Sequence, residues 1–187
     1  MDKYKYSQTW FINSGIHREM KGVVDSSKEM NILEIGCFEG LSSVFFADNF
    51  LDNPASSLTC VDPFLTVANN DHLEWLLNNE EQNFDYNISN CKNSNKITIH
   101  KITSDDFFKT NNKTYHFIYI DGCHEPDFIK RDMDNSFHYL EKNGVMWMDD
   151  YLKGDGRIKT EMDSWLETHK GQYDIIYISY QLAIKKH

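Results

Sequence analysis

The sequence has little of what a stapled, membrane-bound or nucleic-acid-coating protein needs. Its four cysteines, Cys37, Cys60, Cys91 and Cys123, include no C-x-x-C pair. A chain of 187 residues is long enough to bury a core without disulfides, so these read as free thiols in a reducing, cytoplasmic compartment. No apolar run is long enough to span a bilayer. The opening MDKYKYSQTW is polar and has none of the apolar stretch of a secretory leader. Positive charge is also scarce: 19 Lys and Arg stand against 29 Asp and Glu, for a net charge of −10. That balance argues against a general nucleic-acid binder, which must neutralise phosphates over a broad surface. It leaves room for a small anionic ligand at one local site. Repeats, low-complexity tracts and a recognisable linker are absent as well. What remains is globular in composition, 40% hydrophobic and 14% aromatic, and of a size that predicts one domain.

Within that domain, strand-like and helix-like patterns alternate. Residues 31–36, 57–62, 96–101, 115–121 and 145–149 read as strands. Residues 40–51, 71–83, 126–142 and 157–169 read as helices, with shorter helical pieces near 84–91 and from Ser104. Such alternation predicts an α/β fold, a parallel sheet covered by helices on both faces. The end, YDIIYISYQLAIKK, holds two strand-like runs too close together for a crossover helix, so they must form an antiparallel hairpin. Residues 1–28 are expected to form an N-terminal helical cover, with 31–187 as the core. The helix over 126–142 is the best specified. Pro126 suits its first position, Ile129, Met133, Phe137 and Leu140 form its apolar face, and Asn143-Gly144 is a left-handed stop signal.

Ligands of open parallel sheets bind outside the carboxyl ends of the strands. Here all five such ends are polar or glycine-rich: LEIGCFEG, CVDPF, KITSDDFF, IYIDGCHE and MWMDDY. One such ending is common in any α/β protein, but five together point to a site. In EIGCFEG, Gly36 and Gly40 bracket the turn into a helix whose free N–H groups can face an anion. Cys37, Phe38 and Glu39 fill the middle, so the G-x-G-x-x-G fingerprint of a dinucleotide site is incomplete. Asp62, about one βα unit later, is placed to accept the two hydroxyls of a ribose, and Phe64 to cover an adenine face. Ser104 and Asp105 follow the third strand, where they either meet the adenine edge or cap the next helix.

Glu34, Gly36, Cys37, Gly40, Asp62 and Asp121, in this order and with this strand pattern, resemble the class I S-adenosylmethionine-dependent methyltransferases. IDGCH and MDDY narrow the resemblance to metal-dependent small-molecule O-methyltransferases, the catechol type and the antibiotic-sugar type. The resemblance covers the chain from Asn31 onward by motif order. It implies a Rossmann-like seven-stranded, mostly parallel sheet with a C-terminal antiparallel hairpin. It also implies S-adenosylmethionine (SAM) as cofactor, with Gly36, Cys37 and Gly40 under the methionine moiety and Glu34 behind them. Asp62 would take the ribose, Phe64, Ser104 and Asp105 would lie at the adenine, and Asp121 would border the cofactor. Asp121, Asp149 and Asp150 would hold Mg²⁺ or another hard divalent cation. His124 stands where relatives place a basic side chain, often Lys.

Elementary chemistry supports the same assignment. Three carboxylates at adjacent strand ends repel one another, and a hard cation with oxygen ligands relieves the conflict. A hydroxyl held beside such an ion is acidified, and His124 can take its proton. The position of His124 just before Pro126, at a helix N-terminus, predicts a neutral imidazole. Cys123 reads as structural. The expected acceptor is a hydroxyl on a sugar or small phenolic compound, lined by Tyr151, Lys153 and Arg157 and by Trp10, Phe11 and His17. Residues 71–83, with Leu73, Trp75, Leu76 and Leu77, could cap the site or make a homodimer contact. Nucleic acid and membrane are not expected partners. Two other classes were weighed. An NAD-dependent oxidoreductase predicts the complete glycine loop and leaves Asp149-Asp150 unexplained. A non-catalytic binding or assembly module predicts erosion of the acids or the cofactor loop, and neither is eroded.

Overall fold

The computed structural model describes residues 3–64 and 79–187. Most of the expected helix at 71–83 lies outside the described residues. Seven strands form one mixed sheet: β1 (Asn31–Ile35), β2 (Ser57–Val61), β3 (Ile97–His100), β4 (Tyr115–Ile120), β5 (Leu140–Met148), β6 (Tyr173–Ile178) and β7 (Leu182–Lys186). Their order is β3-β2-β1-β4-β5-β7-β6. The mostly parallel sheet with an antiparallel C-terminal hairpin is the architecture expected from the sequence. No helix among the described residues is long and apolar enough to cross a membrane.

The chain falls into two compact units. The first comprises residues 1–30 and 37–102. Two short helices, α1 (Trp10–Asn13) and α2 (Ile16–Val23), stand near its start, and α3 (Leu41–Phe50) precedes β2. Helix α3 carries Val44, Phe45, Phe46, Ala47 and Phe50 buried, so it is apolar around most of its circumference. Rings of Phe11, Phe45, Phe46 and Phe50 pack edge-on and tilted against one another at 5.3–5.9 Å. Helix α4 (Glu80–Asn90) is continuous across the described part of the two helical pieces expected from the sequence. It runs through Phe84 and Ile88, both buried, and leads by a 3₁₀ turn at Ser94–Lys96 into β3, which pairs parallel with β2.

The second unit comprises residues 31–36 and 103–187. Strand β1 pairs parallel with β4, and β4 with β5. Their apolar runs, NILEI, YHFIYI and VMWM, are almost continuously buried, the signature of central parallel strands. Helix α5 (Ser104–Thr110) is capped by Thr103, whose Oγ1 accepts from the N–H of Asp106 at 3.1 Å. The alternative of a Ser104 or Asp105 cap is thereby answered one residue earlier. Helix α6 (Pro126–Tyr139) starts at Pro126 as expected, and α7 (Arg157–Thr168) lies before the hairpin.

The end of α6 differs from the sequence reading. Leu140 was placed on its apolar face, but it opens β5, opposite Tyr115 of β4. Asn143 does take a left-handed backbone, φ 63°, yet inside the strand rather than after a helix. The helical period continued through Leu140 because a buried strand residue and a buried helix residue look alike in sequence. Pairing with Tyr115 decided between them.

Candidate active site

In the first unit, Asp62 follows β2, its N–H bonded to the carbonyl of His100 at 3.1 Å. Its carboxylate grips backbone. Oδ2 accepts from the N–H of Cys37 at 2.7 Å and of Phe38 at 3.1 Å, and Oδ1 from the N–H of Phe64 at 2.7 Å. Phe38 and Phe64 both hold positive φ, 49° and 48°, a region that bulky side chains rarely occupy. A charged acceptor on both N–H groups compensates that strain. Gly40 caps α3 in the same left-handed region, φ 79°, and a Cβ there would lie 2.9 Å from the Phe84 ring. The Phe38 ring stacks on Trp10 at 5.6 Å, and Phe64 leans on Phe84 at 5.0 Å.

Glu39 is a component the sequence analysis passed over as filler. It is only 1% exposed. Its Oε2 accepts from the N–H and hydroxyl of Ser7 at 2.5 and 2.9 Å, and its Oε1 from Asn83 at 2.7 Å. Asn87 donates to the carbonyls of Glu39 and Lys5, at 2.8 and 2.7 Å. The loop after β1 therefore ties the N-terminal segment to α4. Burial, then the charges of Asp62 and Glu39, push the Glu80 carboxyl up to about 7.

In the second unit, β1 is followed by Gly36, φ 82°, where a Cβ would fall 2.0 Å from the carbonyl oxygen of Asp121. Glycine is required there by the strand end it packs against. Glu34 is fully buried on β1, in register with Tyr119 of β4. Ser104 and Asp105 open α5, and Asp105 accepts from Nε of Arg131 at 3.2 Å. Asp132, on α6, is 3% exposed and also went unremarked in the sequence. Burial pushes its carboxyl up to about 6 against a lowering bond from Ser104. Its signal was present: position 132 falls between Ile129 and Met133 on the buried face of α6.

The acids at the ends of β4 and β5 gather in one place, in a small cavity lined by Asp121, Cys123, His124, Asp149, Asp150 and Met162. One ligand atom each from Asp121, His124 and Asp150 lie within 4.8 Å of one another. His124 Nε2 is 2.8 Å from Asp150 Oδ2 and 3.8 Å from Asp121 Oδ1. Lys153 Nζ reaches the same Asp150 Oδ2 at 2.6 Å, and Tyr180 donates to Asp150 Oδ1 at 2.8 Å. Asp150 itself has φ 61°. Asp149 is held differently. Its Oδ1 accepts from Gln181 at 2.5 Å and from the N–H of Asp150 at 2.7 Å, and its Oδ2 from the Tyr119 hydroxyl at 3.1 Å. Trp147 Nε1 in turn donates to Gln181 at 2.7 Å. Gln181 and Tyr119 carry no motif, and only the strand pairings bring them to the acids.

Electrostatics follow from these contacts. The carboxylates of Asp121 and Asp150 push His124 up to about 9, against burial and the charge of Lys153. The expected neutral imidazole is therefore corrected: flanking acids outweigh the helix N-terminus, and His124 is cationic at neutral pH. Burial works to raise Asp150, but His124 and Lys153 outweigh it and hold the carboxyl at about 2. Burial, then the charges of Asp121 and Asp150, raise Asp149 well above the ordinary carboxylate range.

The other expected lining residues are less uniform. Tyr151 is buried, with its hydroxyl on Asp163 at 2.7 Å, and so serves packing. Arg157 is exposed and paired with Asp155 at 2.9 Å. Phe11 and His17 pack against Phe45, and Trp10 is 58% exposed. Cys123 is exposed, not a core thiol, while Cys37, Cys60 and Cys91 are buried.

Comparison with solved structures gives three informative likenesses. A candidate rRNA methylase from Clostridium thermocellum aligns with TM-score 0.69 at 13% identity, over 97% of this chain and 98% of that one. An O-methyltransferase from Bacillus cereus, solved with S-adenosylhomocysteine, aligns at 0.65 and 12%, over 97% and 84%. The O-methyltransferase TomG from Streptomyces achromogenes, involved in tomaymycin synthesis and solved with SAM, aligns at 0.67 and 11%, over 96% and 81%. At such identities the likeness speaks to fold. Among curated proteins there is no significant match. A family model described as a methyltransferase domain matches residues 33–151, from within β1 to just past the paired acids. The chain belongs to this methyltransferase-domain family, and is a class I SAM-dependent methyltransferase.

Proposed function

We propose that the protein transfers the methyl group of SAM to a hydroxyl of a small molecule, a sugar or a phenol. The observation that carries the reading is the gathering of Asp121, His124 and Asp150 at the ends of β4 and β5, within a methyltransferase chain. A transferase acting on a nucleophile that is already basic has little use for such a cluster. A hydroxyl, by contrast, must lose a proton to become nucleophilic.

The residues divide the work. Asp62 and Phe64, with the loop from Gly36 through Cys37 to Gly40, bind the cofactor, and Asp62 keeps acceptor capacity for ribose hydroxyls beyond its backbone bonds. Glu34, Ser104, Asp105 and Asp121 are the other residues that the family resemblance assigns to the cofactor. Asp121 and Asp150, with Asp149 beside them, have the oxygen donor set of a hard divalent cation such as Mg²⁺ or Mn²⁺. When bound, such an ion supplies positive charge that acidifies an acceptor hydroxyl. His124 takes the hydroxyl proton. Its basicity appears once Asp121 and Asp150 are engaged elsewhere, because their charges are what keep it protonated. The acceptor oxygen then forms a bond to the methyl carbon as the carbon–sulfur bond breaks. The products are the methyl ether and S-adenosylhomocysteine, with the proton on His124. Positioning supplies much of the rate.

Calorimetric titration with S-adenosylhomocysteine, with and without Mg²⁺, tests this. Micromolar binding that tightens with Mg²⁺ is expected. Absence of binding under both conditions rejects the reading.

A further inference from the structure

We infer that Lys153 is an internal cation of the acidic site, occupying the carboxylate oxygen that a divalent ion would need, so that ion entry requires the lysine to leave. The inference rests on the reading of Asp121 and Asp150, with Asp149 beside them, as a cation site.

The geometry is specific. Asp150 Oδ2 receives two donors at once, Lys153 Nζ at 2.6 Å and His124 Nε2 at 2.8 Å. Lys153 Nζ also lies 3.3 and 3.4 Å from the two ring nitrogens of His124. The other oxygen of Asp150 is taken by Tyr180 at 2.8 Å. Both acceptor positions of Asp150 Oδ2, the oxygen facing the cluster, are thus taken by cationic or donor side chains, and the side chain is only 8% exposed, so water does not share the load. A dication placed among Asp121, His124 and Asp150 would sit next to the ammonium, and two cations at that distance repel strongly.

Departure is easy, however. A turn sets the lysine backbone: the N–H of Lys153 bonds the carbonyl of Asp150 at 2.9 Å, and the N–H of Leu152 bonds that of Tyr180 at 3.2 Å. Beyond that fixed backbone the side chain is long and 42% exposed, with solvent to swing into. Lysine, a compact charge on a flexible stem, suits an exchangeable occupant better than arginine would. The site is therefore neutralised in its resting form and opens to an ion by exchange. This sets its affinity well below that of bare carboxylates with the same spacing.

The test is calorimetric titration of the full chain with Mn²⁺ alone, comparing wild type, Lys153→Met, Lys153→Arg and the double variant Lys153→Met/Asp150→Asn. Thermal melts confirm that each is folded. Lys153→Met should bind Mn²⁺ at least tenfold more tightly than wild type, Lys153→Arg should bind no more tightly than wild type, and the double variant should lose the gain. Equal or weaker binding by Lys153→Met overturns the inference and leaves the cation site standing. A gain that survives in the double variant also overturns it, since the ion would then bind elsewhere. No Mn²⁺ binding by any variant overturns both the inference and the cation site.

Discussion

Asp62 in the first unit and Asp150 in the second are both carboxylates just past a parallel strand, and they are satisfied in opposite ways. Asp62 is held by three backbone N–H groups, from Cys37, Phe38 and Phe64. Such donors are part of the chain and cannot be exchanged, so the loop is shaped before any ligand arrives. Asp150 is held by the side chains of His124, Lys153 and Tyr180. Those are mobile ends that a ligand or ion can replace. If this loop binds the cofactor, as proposed above, preorganisation helps it, because less ordering remains to be done on binding. A site that must pass a proton benefits from partners that can leave. Asp132 is a third case, buried with a bond from Ser104 that does not offset the burial, and its raised pKa reports the cost.

The largest effect is expected at Asp62. Asp62→Ala leaves three N–H groups without their acceptor and the positive φ of two phenylalanines uncompensated, so urea denaturation should show a loss of roughly 3 kcal/mol or more. Binding of S-adenosylhomocysteine should fall below calorimetric detection. If both were retained, the loop would not depend on this carboxylate. Next is Gln181→Leu, which removes a donor from Asp149 and leaves the buried Trp147 indole N–H unpaired. A loss of roughly 2–3 kcal/mol is expected in the same assay, and an unchanged melt would mean that Asp149 is set by other groups.

Asp132→Asn should act in the other direction. The folded carboxyl titrates near 6 rather than 3.8, so the folded state holds the extra proton between those values. The contribution of Asp132 to stability is then full below 3.8 and is lost as pH rises through about 6. The amide removes that slope, and at pH 7 the variant should be more stable by about 1–2 kcal/mol. A steeper pH profile in the variant would contradict the assignment. The smallest change is expected at Lys153. Its side chain is 42% exposed and His124 stays on Asp150, so Lys153→Met should alter stability by less than about 1 kcal/mol. A large loss would make the lysine structural rather than exchangeable.

The Asp62 arrangement was partly legible in advance. A glycine-bracketed turn followed one unit later by an acid is a local pattern, and local patterns survive in sequence. What could not be read was that the acid holds the loop itself, through three backbone N–H groups. Glu39 was missed because its partners, Ser7 and Asn83, are 32 and 44 positions away. Legibility at the second cluster was also mixed. Asp121, His124, Asp149 and Asp150 stood out at strand ends, yet their division into an exchangeable set and a fixed one was hidden. That division depends on Gln181 and Tyr180, which the C-terminal hairpin delivers through the pairing of β7 with β5. Helix α6 shows the same boundary: its start was fully specified by Pro126, its end was not, because Leu140 suits either element until Tyr115 lies opposite.

Sequence periodicity alone was enough for the alternating strands and helices, the closing hairpin and the row of acids at the strand ends, since each depends on neighbours within a few positions. The tertiary structure decided which donors satisfy which carboxylate. Hydrogen bonds and ion pairs are short-ranged and directional, so they exist only after the strands have paired and brought distant residues within about 3 Å.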